Sequence, residues 1–335
     1  MPFSSGNATT DVNNMQPRFF QKLTPSRTTL DVLSGFGRII LVPLGAAILL
    51  LVWFFPYDSD VPLSNEEIAK ERDYYAKAFA EGESQLSPAG SEEEESYVRI
   101  GREIAETMHI KERVQTFVAQ YNLTAKKVLD VGSGRGYLQD VVDDYTGLDI
   151  SSTAARFYQK KFVLGSATAM PFADNSFDAI WSIWVLEHVP NPEQALQEIR
   201  RVAKNDSLLY LSPAWDCPPY LANGYNVRPY SDFGLWGKAI KFFIPARVFA
   251  SIAARELIYP IREASWKRSG QPTRLHYHRL DPNYKTYWGP DADAVNSLDS
   301  HEMGLWFRSR GDECLSCVED PFVSIPLIVR VHKSQ

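Results

Sequence analysis

The segment from Val128 to Leu138, with the sequence VLDVGSGRGYL, constrains the fold of this chain more than any other. Four residues typical of a strand lead into three glycines at alternate positions, and a second predicted strand ends at Asp149. Glycine lets the backbone approach a ligand closely and expose its amide groups. An acidic residue at the end of the second strand can accept hydrogen bonds from ribose hydroxyls. This layout is typical of a nucleotide-binding βαβ unit.

The spacing of the glycines argues against a dinucleotide. A dinucleotide-binding turn has the pattern G-x-G-x-x-G, whereas Gly132, Gly134 and Gly136 form G-x-G-x-G. Further segments follow in a fixed order: DIS at 149–151, FVLG at 162–165, SATAMPF at 166–172, DNSFDAIW at 174–181 and LEHVP at 186–190. We interpret them as the ends of strands two and three, the turn into strand four, and the segment after it.

This ordered series closely resembles the class I S-adenosylmethionine-dependent methyltransferases, in the type 11-like subgroup that acts on small molecules, quinones and sterols. The resemblance covers residues 126–215, with a tail at 292–333. It implies an α/β, Rossmann-like fold with a seven-stranded, mostly parallel sheet and helices on both faces. It also implies S-adenosyl-L-methionine as the cofactor and methyl transfer as the activity.

The resemblance further implies roles in cofactor binding. Asp130 and the three glycines would face the methionine portion and the ribose. Asp149 would bind the ribose hydroxyls, and Ile150 would lie against the adenine. The alternative is that these residues only shape a tight turn.

Two more positions of this kind follow strands three and four. Ser166 stands where family members often have an aspartate, which removes the expected partner of the adenine amino group. The backbone amide of Ala167 would still reach the adenine edge. Ser182, near the end of strand four, would lie beside the methionine carboxylate.

Three histidines are candidate general bases. A hydroxyl acceptor needs a group that removes its proton, and His188 is the first candidate because it follows strand four. His276 and His278 come next, although an amine acceptor would need less such help. Their spacing places both on one face of a strand, and with Asp291 and Asp293 they have donors that suit a metal. Turn formation and solvation explain these residues better, so no metal site is predicted.

A second feature is the uncharged run of residues 39–55. As a helix it would extend roughly 26 Å, just short of a typical hydrocarbon core. We expect a single transmembrane helix at 36–56 after a disordered polar tail at 1–35. A cleaved signal peptide is the alternative, but the preceding tail is long for one. Basic residues precede the span and acidic ones follow it, which favours a catalytic domain across the membrane. The cofactor is a cytosolic metabolite, so we expect the domain in the cytosol.

The rest of the chain divides into an acidic juxtamembrane section at 57–95 and a methyltransferase domain at 96–335. We expect Asn65 to cap a helix in the juxtamembrane section. One helix at 96–120 is expected to lead into the sheet of the methyltransferase domain. Asn191 caps a helix with Pro192 in its first turn. The expected C-terminal elements are a helix from Ala294 to Arg310 and strands from Glu313 to Val318 and from Ser324 to His332.

An insertion at 216–292 follows strand five and is predicted to form a lid that carries substrate specificity. Its segment 235–262 is apolar and aromatic with interspersed basic residues, which is typical of a helix in a membrane interface. A lid helix packed on the core is the alternative. Pro245 and Pro260 are expected to interrupt the helix in either case.

Net charge and cysteine content limit the classes of ligand and bond that the sequence predicts. The net charge of −6 gives no reason to expect nucleic acid binding. Cys314 and Cys317 form a C-x-x-C pattern in a predicted strand, which favours neither a redox nor a zinc role. The odd count of three cysteines argues against a disulfide framework. The oligomeric state is not predicted.

The sequence therefore predicts a methyltransferase tethered to a membrane, acting on a small-molecule, lipid or lipid-linked acceptor. One alternative is a non-catalytic, membrane-tethered module that keeps the fold. A nicotinamide-dependent oxidoreductase is the other, but it would need a hydride-site pattern such as Y-x-x-x-K and a different strand four.

Overall fold

The computed structural model describes Gly45 and residues 64–80, 92–286, 288–317 and 325–333. The helices in these ranges are α1 (Asn65–Ala80), α2 (Glu92–Thr107), α3 (Ile110–Gln120), α4 (Pro192–Val202), α5 (Leu235–Ser269) and α6 (Ser300–Arg308). The strands are β1 (Lys127–Val131), β2 (Asp144–Asp149), β3 (Lys161–Leu164), β4 (Phe177–Ile183), β5 (Ala203–Ser212), β6 (Tyr277–Arg279), β7 (Asn296–Leu298), β8 (Glu313–Cys314) and β9 (Leu327–Arg330). Apart from Gly45, the predicted tail at 1–35 and transmembrane helix at 36–56 lie outside the described residues.

Among the helices that are described, none combines the length and apolarity needed to cross a membrane.

One seven-stranded sheet forms the centre of the domain, with the strand order β3-β2-β1-β4-β5-β9-β8. Strands β1 to β5 are parallel to one another. Strand β9 runs antiparallel to β5, with Leu211 opposite Leu327, and β8 runs antiparallel to β9. The order reverses between β1 and β4, so a cleft opens at the carboxyl ends of these strands. The predicted Rossmann-like sheet is confirmed.

Helices cover both faces of the sheet, as predicted. Alternate residues of a strand point to opposite faces. Leu129 and Val131 therefore pack with α4 and α6, and the fully buried Trp306 belongs to this cluster. Val128 and Trp181 pack on the other face against α3, through residues such as Phe117.

The start of α4 follows the local signals in the sequence. Asn191 Oδ1 accepts a hydrogen bond from Gln194 N at 3.1 Å, and Pro192 occupies the first turn. The prediction for α1 is wrong by one residue. Ser64 is the cap, because its Oγ accepts from Glu67 N while the Glu67 carboxylate accepts from Ser64 N. This reciprocal pair is a capping box.

Other predicted elements are shorter or divided. The helix expected at 96–120 is two helices, broken at His109, which has a left-handed backbone with φ of 53°. Residues 132–143 form turns and bends in place of a helix between β1 and β2, and the left-handed backbone of Gly132, Gly134 and Gly136 accounts for the first part of this segment. The helix expected from Ala294 begins only at Ser300, capped by Asp299, and residues before it form β7. The last two strands are also shorter than predicted.

The insertion contains α5 and β6, and β6 pairs with β7, just after the insertion, to form a two-stranded ribbon. Contrary to expectation, α5 continues through Pro245 and Pro260. Its second half is fixed to the start of α6 by buried charges: Arg255 Nε lies 3.2 Å from Asp299 and Arg262 lies 2.9 Å from Glu302. These contacts help to offset the hydrogen bonds that the prolines remove.

Cys314 and Cys317 are joined by a disulfide, with their Cα atoms 5.6 Å apart. The odd cysteine count argued against a disulfide framework, and the described residues hold this one local bridge, which was not predicted. The predicted strand ends at Cys314, and the turn after it brings Cys317 back within bonding distance. The third cysteine, Cys217, is a buried thiol whose pKa is raised by burial.

Candidate active site

A cavity of about 640 Å³ lies at the carboxyl ends of the parallel strands. Helix α1 covers it and contributes Glu71, Tyr75 and Phe79 to the wall. Its end is fixed to the glycine loop because Arg135 donates a hydrogen bond to Phe79 O at 3.0 Å. Segments after β1, β2, β3 and β4 supply most of the remaining wall. This is the expected position of a ligand in a sheet whose strand order reverses.

The glycine loop has the backbone that the sequence predicted. Gly132, Gly134 and Gly136 have φ angles of 72°, 50° and 74°, which favour glycine. A Cβ on Gly132 would lie 2.3 Å from both Cγ atoms of Val185. Of the three glycines, only Gly132 belongs to the cavity wall.

Asp149 and Ile150 lie side by side in the wall. Asp149 is 6% exposed. Its Oδ2 accepts from Gly134 N and its Oδ1 accepts from Ser151 N, both at 2.8 Å. Burial raises its pKa, and these amides oppose the rise. Each carboxylate oxygen keeps a second lone pair for a ligand hydroxyl, and the ribose contact of Asp149 stays a prediction.

Ser166 and Ala167 also line the cavity. The Ser166 hydroxyl lies 2.9 Å from the Thr168 hydroxyl and accepts from Thr168 N at 3.2 Å. This side chain therefore holds its own turn, and its contact with adenine stays a prediction.

Asp130 and Ser182 are not part of the wall. Asp130 is buried beneath it, where its Oδ2 accepts from the Tyr145 hydroxyl at 2.7 Å. Ser182 is fully buried, and its hydroxyl has no hydrogen-bond partner in the described ranges. The structure does not bring either residue to the place that the resemblance implies.

We expect Asp130 to make stability depend on pH in an unusual direction. Burial raises its pKa to about 6, although the Tyr145 hydroxyl opposes the rise. The folded protein thus holds this proton more tightly than the unfolded chain, whose aspartate titrates near 3.9. As the pH rises from about 4 to above 6, the group costs about 1–3 kcal/mol of stability.

The Asp130→Asn variant removes this cost. The difference in free energy of unfolding between this variant and the wild type is expected to shift by about 1–3 kcal/mol in favour of the variant as the pH rises from 4.5 to 7.5. Urea unfolding at both pH values measures the change, and Asp144→Asn, at the exposed end of β2, is the control. A relative stability that is equal at the two pH values would contradict the prediction.

His188 is the one predicted catalytic histidine that reaches the wall. Its Nδ1 lies 3.6 Å from Asp293 Oδ2, and its Nε2 lies 3.8 Å from Glu187 Oε1. Burial by itself disfavours the imidazolium, but these carboxylates outweigh it and raise the pKa of His188 to about 9. They hold a proton on the ring at neutral pH, which does not favour the predicted role as a general base.

His276 and His278 do not line the cavity, whereas Tyr277 and Arg279 do. Successive residues of an extended segment face opposite sides. The prediction that the two histidines share a face agrees with this alternation, but that face points away from the cavity.

Helix α1 supplies wall residues that the sequence did not reveal, among them Glu71 and Tyr75. Glu71 is 4% exposed, and burial raises its pKa to about 7. The Tyr75 hydroxyl donates to Asp293 Oδ2 at 2.8 Å. Their spacing of four residues places them on one face of a helix, which is the signal that could have found them.

The residues of the wall suit S-adenosylmethionine. The loop at Gly132 has no room for a Cβ, so its backbone itself forms the surface. Asp149 offers two oxygens to a ribose, and Ile150 offers an apolar contact to a base. The volume lies within the range of about 300–1,000 Å³ that is usual for small-molecule sites.

Comparison with known proteins also indicates a methyltransferase in the centre of the chain. Residues 129–211 match the family described as "Methyltransferase domain". Demethylmenaquinone methyltransferase of Renibacterium salmoninarum is 39% identical over 88 residues, which are 24% of this chain and 37% of that protein. Fatty-acid O-methyltransferase of Mycolicibacterium smegmatis is 28% identical over 192 residues, which are 50% of this chain and 68% of that protein.

Likeness to solved structures is more distant. An N1-methyltransferase of Burkholderia thailandensis, which acts on 1,6-didemethyltoxoflavin, is 12% identical, with a TM-score of 0.43. The alignment covers 83% of this chain and 94% of that one. The chain spans only 37% of the first curated relative. The family match, the glycine loop and Asp149 nevertheless agree on one segment. Residues 129–211, which span β1 to β5 of the sheet, are similar to a methyltransferase domain.

Proposed function

We propose that this chain transfers the methyl group of S-adenosylmethionine to the carboxylate of a lipid or lipid-linked acceptor at a membrane surface. The observation that carries the proposal is the cavity. It places the cofactor-type wall of Gly132 and Asp149 in one space with Arg279 of the insertion. A cofactor and a second, anionic ligand could thus meet there.

The cofactor supplies an electrophilic methyl group, so the protein has to position the acceptor and exclude water. A carboxylate is already a nucleophile, and none of the three histidines would have to remove a proton from it. Helix α1 forms one side of the cavity wall. The residues therefore act mainly by orientation.

Arginines on the wall support an anionic acceptor. Arg72, Arg274 and Arg279 all line the cavity. Arg279 is half-buried and donates to Asn296 Oδ1 and to Pro190 O, both at 2.7 Å. Its Nε has no acceptor among the described residues. A guanidinium held in this way can bind a carboxylate through its remaining donors.

The surface of α5 supports an apolar acceptor. Leu235, Trp236, Phe242 and Phe243 are between 52% and 87% exposed. They recur at a spacing of seven residues, which places them along one side of the helix. Exposed apolar side chains in this number mark a surface that contacts a lipid or a partner. The relative from Mycolicibacterium smegmatis is named for its action on fatty acids, which favours a lipid.

We expect Trp236 to enter the lipid interface. Phospholipids brominated in their acyl chains should quench a component of the tryptophan fluorescence of the full chain in vesicles. Trp53 of the predicted membrane helix would be quenched as well, so Trp236→Phe should reduce the quenching without abolishing it, because Trp236 is 85% exposed and lies on the apolar side of α5. Trp215→Phe, a half-buried tryptophan near the start of the insertion, should retain the full quenching. Equal quenching in the wild type and in Trp236→Phe would contradict the membrane contact.

The predicted helix at 36–56 would hold the domain close to that surface. We propose that it is a single anchor and that the catalytic domain lies in the cytosol, where the cofactor is made. The proposal rests on the uncharged run at 39–55. Protection of residues 64–335 from added protease in sealed, right-side-out vesicles would support it, and cleavage there would contradict the orientation.

Methyl transfer can be tested directly with labelled cofactor. The full chain is incubated with S-adenosylmethionine that is labelled in its methyl group and with vesicles that contain free fatty acids. We expect label in the lipid fraction that mild alkali releases as methanol, because a methyl ester is labile to base. Asp149→Ala should show none. Alkali-stable label would exclude a carboxylate acceptor, and no label with any lipid extract would favour the non-catalytic module.

A further inference from the structure

A buried cluster of side chains behind the cavity has the composition of a metal site. Glu187 and His188 follow β4, and Asp291 lies in the turn before β7. Each offers a donor atom, and these atoms all lie within 4.8 Å of one another. Ligands at about 2.1 Å from one ion lie about 3.4 Å from each other in a tetrahedron, so an ion would draw these side chains slightly closer together. The sequence pattern groups Asp291 with His276 and His278, but the fold does not bring these two histidines into this cluster.

Polar atoms in the cluster lack partners. Glu187 is fully buried, and its Oε1 accepts from Ala214 N at 3.0 Å. Its Oε2 is buried without any hydrogen-bond partner among the described residues, and the same is true of His188 Nδ1. A buried polar atom without a partner is costly and is rarely left so in folded proteins. Two of the three proposed ligands therefore each have an unsatisfied donor or acceptor.

The charges of the cluster also point to a cation. The carboxyl groups of Glu187, Asp291 and Asp293 surround a single imidazole, and Glu71 faces the same side from α1. The Tyr75 hydroxyl donates to Asp293 but brings no charge. Burying several carboxylates near one another is unfavourable unless a positive charge compensates them. A metal ion would displace the proton that His188 carries in the metal-free chain, and a divalent ion would then compensate two of the carboxylates at once.

We propose that Glu187, His188 and Asp291 bind one divalent transition-metal ion. One imidazole nitrogen and two carboxylate oxygens suit Mn²⁺ or Zn²⁺ better than Ca²⁺ or Mg²⁺, which prefer oxygen ligands alone. The ion would join the segment after β4 to the turn that leads into β7. It would thereby fix the insertion to the sheet beside the cavity, and this role is independent of the identity of the acceptor.

The test uses the full chain in detergent, treated with a chelator and then titrated with Mn²⁺ without S-adenosylmethionine. The paramagnetic resonance signal of free Mn²⁺ measures the bound fraction. We expect one ion per chain, a higher melting temperature with the ion, and displacement of Mn²⁺ by Zn²⁺. Asp291→Asn should weaken Mn²⁺ binding at least tenfold, whereas Asp281→Asn, an exposed aspartate of the same segment, should leave it unchanged.

Glu187→Gln is the second variant, in case Asp291→Asn does not fold. It should weaken Mn²⁺ binding to a similar degree, and circular dichroism checks that each variant is folded. Less than a tenth of an ion per chain in the wild type would overturn the proposal. Equal Mn²⁺ affinity in the wild type and in a folded variant would overturn it as well. Because the readout is metal binding alone, a failure here is distinct from a failure of methyl transfer.

Discussion

Gly132→Ala is expected to weaken S-adenosylmethionine binding by more than a hundredfold. The new methyl group would lie 2.3 Å from both Cγ atoms of Val185, and φ at this position is 72°. The left-handed backbone costs alanine about 1–2 kcal/mol, and overpacking of this kind costs about 1–3 kcal/mol more. Relief of the clash has to move either the loop or Val185, and both line the cavity. Calorimetric titration measures the affinity.

Two further variants separate the causes. Gly270 also has a left-handed backbone, with φ of 62°, but a Cβ there would meet nothing within 4 Å. Gly270→Ala should cost about 1–2 kcal/mol of stability and leave cofactor affinity unchanged. Adding Val185→Ala to Gly132→Ala should recover part of the affinity by making room for the methyl group. Affinity within threefold of the wild type in Gly132→Ala alone would contradict the account of the loop.

Asp312→Ala is expected to destabilise the domain by about 3–5 kcal/mol, as is usual when one partner of a buried ion pair is removed. Asp312 accepts from Arg200 Nε at 2.8 Å and from His332 N at 2.9 Å. Its side chain is fully buried, and Arg200 also donates to the backbone at Arg310. The contact joins α4 to the β8–β9 edge, so its loss leaves a half-buried guanidinium without its carboxylate.

The control for this prediction is the ion pair of the adjacent arginine, Arg201, with Asp174. Arg201 lies 2.7 Å from Asp174, but the Asp174 side chain is 67% exposed. Asp174→Ala should therefore cost less than about 1 kcal/mol. Urea unfolding of both variants gives the comparison, and similar losses would show that burial does not decide the strength of these pairs.

Elements with local signals could be predicted from the sequence. The strand, glycine turn and acidic strand end of residues 128–149 specify β1, the loop and β2 without reference to distant residues. The α4 cap is equally local, because Asn191 bonds to an amide three residues away. For the same reason the cofactor-type wall at Gly132, Asp149 and Ile150 was accessible from the sequence alone.

Elements that depend on distant contacts could not be predicted in this way. The cover of the cavity by α1 rests on pairs such as Tyr75 with Asp293, which are 218 residues apart. Pro245 and Pro260 predict breaks, yet charge pairs between α5 and α6 stabilise the continuous helix. The direction in which β6 faces decides that Arg279, and not His278, meets the cavity. No local sequence pattern near β6 indicates which of its faces meets the cavity.

The most direct test of the account is calorimetric titration of the full chain with S-adenosylmethionine and with its demethylated product. Asp149→Ala is the variant, and Asp144→Ala, at the opposite and exposed end of the same strand, is its control. We predict micromolar binding of both ligands by the wild type and by Asp144→Ala. Loss of the charged acceptors should weaken binding by Asp149→Ala by about a hundredfold. A folded wild-type chain that binds neither ligand would contradict the assignment of the cavity.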